Sequence, residues 1–269
     1  MNFDPLLRRG ISLPPGRKIT PSEGDGALQP LWLSNSPVSA DLFAQLRTEH
    51  AASGLWPLLL DSVDPNDVDF RPWGCGELSP ERMSSPGAHD AEELLARWWK
   101  DYTATDEEDD VLTAEERLAV TAPFGQSWPG IAPGRAVGTD PDAMAEQYAR
   151  VFLADRPHAR LGLVSAFRGA DALTAVGWEG PVNYDNDTAT FSAVVRSWED
   201  RFGARVVGVG YSTLHLSVAA PPSAPEEALA IAAEHFAFCP DNIWQGAHHD
   251  LIAYAEYLID LNCWEFWWD

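Results

Sequence analysis

Phe191-Ser-Ala-Val-Val-Arg-Ser-Trp-Glu-Asp-Arg-Phe-Gly-Ala-Arg-Val-Val-Gly-Val-Gly-Tyr-Ser-Thr-Leu-His-Leu-Ser-Val218 is the stretch that decides the fold. Phe191, Val194, Val195, Trp198 and Phe202 recur at the spacing of a helix with one apolar stripe. Gly203 stands where a helix-ending glycine belongs. Arg205 to Gly210 and Thr213 to Ala219 then predict a hairpin. In its second strand Leu214, Leu216 and Val218 alternate with His215 and Ser217.

Upstream, Leu161-Gly-Leu-Val-Ser-Ala-Phe167 reads as a buried strand, followed by a short helix from Ala170 to Val176 that Gly177 stops. Downstream, Ser223 with Glu226 opens a helix that Pro240 ends near Phe238. A helix from His249 to Leu261 follows, and Trp264-Glu-Phe-Trp-Trp268-Asp269 is rich in strand-forming aromatics. The order from residue 157 to 269 predicts an α+β domain. Its expected form is ferredoxin-like, or a related mixed or antiparallel sheet with helices on one face.

The first half is less regular. Residues 1–30 read as an irregular arm, and 31–156 as a smaller mixed region. That region has strands at Leu31–Leu33 and Leu55–Leu60 and helices over Ala40–Ala52 and Asp90–Tyr102. Thr113-Ala-Glu-Glu116 is a capping box, and Asp140-Pro141 caps a further helix. The acidic run Asp106-Glu-Glu-Asp-Asp110 sits in a linker, 103–112, and reads as solvated.

Composition narrows the function. Of 269 residues, 45% are hydrophobic, enough for a packed core. Lys and Arg number 18 against 41 Asp and Glu, a net charge of −23, which repels nucleic acid and anionic membranes. The same charge suits a basic protein partner met by steered association. No apolar run approaches the roughly 20 residues of a membrane span, and Met1 to Gly10 lacks the pattern of a targeting segment. Three cysteines make no disulfide framework, so the expectation is a reduced, cytoplasmic protein. Twelve tryptophans are either packing residues or an exposed aromatic platform.

The densest polar cluster is His235, Cys239, Asp241, Asn242, Trp244 and Gln245, with His248 and His249 beyond. Cys239 with His235 or a nearby acid supplies the elements of a thiol nucleophile and its base. Asp241, Asn242, Trp244 and Gln245 are the candidate binding residues, on a turn held by Pro240 and Gly246. The bland alternative is a buried Cys beside a turn that Asp241 caps. No cofactor or metal is expected. His215, His235, Cys239, His248, His249 and Cys263 show no C-x-x-C or H-E-x-x-H spacing, and there is no phosphate-binding loop or G-x-S-x-G elbow. Asn183-Tyr-Asp-Asn-Asp187 lacks a calcium-loop pattern.

Four separated motifs occur in a familiar order. They are Phe191 to Ala204, Glu234-His-Phe-Ala-Phe-Cys-Pro-Asp-Asn242, Tyr254-Ala-Glu-Tyr-Leu258 and Trp264 to Asp269. Together they resemble the bacterial domain-of-unknown-function family 4253 over the last part of the chain. Met83-Ser-Ser-Pro-Gly87 and Ala122-Pro-Phe-Gly125 are similar to the amino-terminal part of some members. The resemblance implies shared positions and no activity; an immunity-type role is only a loose association. The expectation is a non-catalytic binding module, with a Cys239-dependent hydrolase or transferase as the rival.

Overall fold

Local signals in the sequence set most element ends in the computed structural model, which describes residues 1–105 and 113–269. The acidic run Asp106–Asp110 lies outside the described residues. In the first half the helices are α1 (Asp4–Arg8), α2 (Ala40–Thr48), α3 (His50–Ser53), α4 (Ala91–Tyr102), α5 (Ala114–Val120) and α6 (Pro141–Asp155). Those of the second half are α7 (Gly169–Val176), α8 (Thr188–Phe202), α9 (Pro225–Phe238), α10 (Asp241–Trp244) and α11 (Leu251–Leu258). The strands are β1 (Gly16–Ile19), β2 (Leu31–Pro37), β3 (Leu55–Leu60), β4 (Arg160–Ser165), β5 (Ala204–Val209), β6 (Thr213–Val218) and β7 (Cys263–Trp267).

Asp140 caps α6 and Thr113 with Glu116 forms the capping box of α5, both as expected, and Asp90 caps α4. Gly177 and Gly203 end α7 and α8 with φ of 71° and 62°. The helix expected over 40–52 is broken at Glu49, which ends α2 and begins α3. At α9 the partner of Ser223 is Glu227 rather than Glu226; its carboxylate accepts the Ser223 N–H.

The seven strands among the described residues form one mixed sheet in the order β1-β2-β4-β3-β5-β6-β7. Only β3 and β5 run parallel, and they pair only at Leu59 and Leu60. Pro57, which has no N–H to give, is paired with Leu163 of β4 but lies in the part of β3 that does not pair with β5, where the Trp56 indole N–H donates to the Val206 carbonyl at 3.2 Å. β4 starts just past residue 157, yet both its neighbours, β2 and β3, come from before that point.

The α+β class holds, and so does the mixed sheet expected as the alternative to a ferredoxin-like one. Two finer expectations change. The order is not the interleaved one of a ferredoxin-like sandwich, because β3 separates β4 from β5 and β7 pairs antiparallel with β6 at the edge. Helices also cover both faces. Those of the second half share one core with α4 on one face, built round Trp198, Phe236, Phe238 and Phe266. α2 and α6 cover the other, where Phe43 and Phe152 meet Leu59 and Val207. A two-sided cover explains why β3 is apolar throughout: Trp56, Leu58 and Leu60 face one core, Leu55 and Leu59 the other. Gly208 permits the close approach, since a Cβ there would stand 2.4 Å from the Phe152 ring.

Nine of the twelve tryptophans are buried, so they act mainly as packing. Among the described residues no helix is long and apolar enough to cross a membrane.

Candidate functional site

Two polar constellations stand out. The first is the turn already singled out in the sequence. Pro240 ends α9, and the chain turns through α10 under the outer edge of β7. There the backbone of Glu265, Trp267 and Asp269 faces away from β6, and the turn meets it group by group. The Asn242 side chain donates to the Glu265 carbonyl at 2.7 Å and accepts the Trp267 N–H at 3.3 Å. The Cys239 thiol donates to the Trp267 carbonyl at 2.9 Å, and Asp241 accepts the Asp269 N–H at 3.2 Å. Side chains thus do the work of an eighth strand and close a sheet edge that would otherwise be open to pairing.

The remaining bonds are also internal. Asp241 accepts from the Tyr184 hydroxyl at 2.8 Å and the Gln245 amide at 3.0 Å. It does not cap α10; residue 240 holds the cap position and no side chain fills that role. Cys239 is fully buried, and burial together with the Asp241 charge pushes its thiol far above the usual range. A buried neutral thiol is inert. His235 is likewise buried, pushed down to about 3 by desolvation, and its Nδ1 is hydrogen-bonded to the Tyr254 hydroxyl at 3.1 Å. Trp244 is half-buried between Tyr102 and Phe236, while Gln245 is exposed. His248 stacks on Tyr257, and among the described residues no three His, Cys, Asp or Glu side chains converge as metal ligands.

The second constellation was not anticipated. A polar cavity of about 240 Å³ opens where β4 ends. Arg47 reaches it from α2 with only 3% of its side chain exposed. Its guanidinium lies 3.7 Å over the Trp56 ring, and Nη2 donates to Asp142 Oδ1 at 2.5 Å. Nε and Nη1 are buried with no partner, a condition that costs about 1–3 kcal/mol per unmade bond. Arg205, from β5, donates to the same Asp142 oxygen at 3.1 Å. Arg168, which also lines the cavity, donates to Glu199 at 2.6 Å and to Asp200 at 2.5 Å. Glu199 also accepts the Ala170 N–H at the start of α7. Burial raises the Glu199 carboxyl above its ordinary range despite Arg168. It lowers His50, whose Nε2 meets the Ala166 carbonyl at 2.9 Å and therefore carries the proton. Phe167 stands at the rim, 89% exposed.

A signal for this cavity existed. Arg47 follows Phe43 by four residues, and Glu199 follows Val195 by four and precedes Phe202 by three. Each puts a charge inside an apolar stripe, a position that needs a partner.

Residues 160–269 match the family model described as Domain of unknown function (DUF4253). Over those residues, less than half of the chain, the sequence is similar to DUF4253. The match begins at the first residue of β4 and takes in all four motifs. No curated protein and no solved structure matches the chain. The edge-closing turn lies wholly within the DUF4253 segment. The cavity does not: Arg168, Glu199 and Arg205 lie in the matched segment, while Arg47, Trp56 and Asp142 precede it.

Proposed function

We propose that this chain is a non-catalytic binding module whose acidic surface engages a basic protein partner. The observation that carries this reading is the engagement of Cys239, Asp241 and Asn242 along β7, which leaves the rival thiol enzyme without a nucleophile. The charge of −23 supplies the attraction. Exposed acids support it on either side of the run Asp106–Asp110: Glu92, Glu93 and Asp101 on α4, and Glu115 and Glu116 on α5.

The test is capture of partners on the immobilised chain, followed by association rates against salt. A basic partner whose association slows about tenfold or more as salt rises from low to high ionic strength, unchanged by Cys239→Ala, is the expected result. An association indifferent to salt, or a turnover that Cys239→Ala removes, would overturn the proposal.

A further inference from the structure

We propose that the cavity at the end of β4 binds a small zwitterion, a free α-amino acid with an apolar side chain. The carboxylate meets Arg47 and Arg205, the ammonium meets Glu199 and Asp200, and the side chain packs on Phe167. This inference goes beyond the basic-partner reading and does not depend on it.

Charge arrangement is the first ground. On one wall two guanidiniums share a single oxygen of Asp142, so that wall carries one positive charge more than it balances. On the other wall one guanidinium, Arg168, is shared by two carboxylates, an excess of one negative charge. The six charges sum to zero, with the unbalanced positive charge on Arg47 and Arg205 and the unbalanced negative charge on Glu199 and Asp200. A simple anion satisfies one wall and is repelled by the other. A zwitterion satisfies both.

Unmade bonds are the second ground. Arg47 keeps three N–H donors on Nε and Nη1 without partners; they are closed to solvent as the side chain stands, so a ligand engages them by turning the guanidinium towards the cavity. Buried donors in a native structure find partners, and a carboxylate is the strongest acceptor that fits a guanidinium. Glu199 has lone pairs left after its bonds to Arg168 and Ala170. An arriving ammonium favours its ionised form. The third ground is Phe167, a large apolar side chain almost wholly exposed at the mouth. A cavity of about 240 Å³ is smaller than drug-sized sites and suits a ligand of amino-acid size.

The test is calorimetric titration of the full chain with L-leucine, glycine, N-acetyl-L-leucine and L-leucine amide. Leucine should bind saturably, and removing either charge should weaken binding about tenfold or more. Arg205→Gln should abolish it. Phe167→Ala, at an exposed position that leaves the fold intact, should bring leucine down towards glycine. No saturable leucine binding up to about 10 mM would overturn the proposal. So would N-acetyl-leucine binding as tightly as leucine, or binding that ignores both substitutions in chains that melt like the parent.

Discussion

At the scale of single residues, Asp241 shows how one carboxylate can pass for a cap. Its two oxygens accept from Tyr184, Gln245 and the Asp269 backbone, all donors. Asparagine loses the charge that strengthens these bonds together with one acceptor oxygen, so Asp241→Asn should destabilise the chain by about 1–3 kcal/mol. A simple cap would tolerate that change, because Asn caps as well as Asp. Urea unfolding of the two proteins decides between them. The thiols make a second prediction. Cys75 is exposed and Cys239 buried, so a thiol reagent applied to the native protein should label Cys75 and leave Cys239 untouched until denaturant is added. Native labelling of Cys239 would mean that the edge turn opens readily. The sequence made the identities at 239–245 conspicuous, but not their direction. Their partners lie on β7, more than twenty positions further on, and a backbone carbonyl leaves no mark in a sequence pattern. The cavity was half legible for a similar reason: Arg47 and Glu199 each break an apolar stripe, yet nothing local says that they line one cavity.

Among the elements, those of the second half were legible almost throughout, because each carries its own period and its own stop. β5, β6 and α8 end within a residue or so of where alternation and glycine placed them. β1 escaped notice because Gly-Arg-Lys-Ile has one buried residue and exists through its pairing with β2. β7 was predicted, and its weight can be tested. Trp264, Phe266 and Trp268 are each at most 2% exposed. Burying three such side chains at roughly 1.5–3 kcal/mol each stabilises the fold by about 5–9 kcal/mol, an upper figure that rivals the whole stability of a domain. Deleting residues 264–269 should therefore abolish the cooperative melt. A truncated chain with native-like circular dichroism would show instead that the β7 edge is dispensable.

Across the whole molecule, pH should act through imidazoles shut inside both faces of the sheet. His215 and His235 are each held down to about 3, chiefly by burial, against about 6.5 in an unfolded chain. Between those limits the unfolded state binds more protons than the native one, so stability falls as pH falls below about 6.5. By pH 5 each group accounts for a loss on the order of 2 kcal/mol. Denaturation midpoints at pH 7 and pH 5 should differ accordingly, and His215→Gln should reduce the difference. An equal drop in the variant would place the sensitivity elsewhere.

The position of β4 has a consequence for how the chain can be cut. Its two neighbours are both contributed by residues before 157, and β3 in turn is held between β4 and β5. The halves are threaded through one another like the teeth of a zip, so neither should fold as a portable module. Residues 1–156 and 157–269 expressed separately should each be unfolded or aggregated. Produced together, they should reassemble into a non-covalent heterodimer with the melting behaviour of the uncut chain, a natural split reporter. Purified residues 157–269 giving a sharp, native-like melt alone would show that β4 can find a partner without β3.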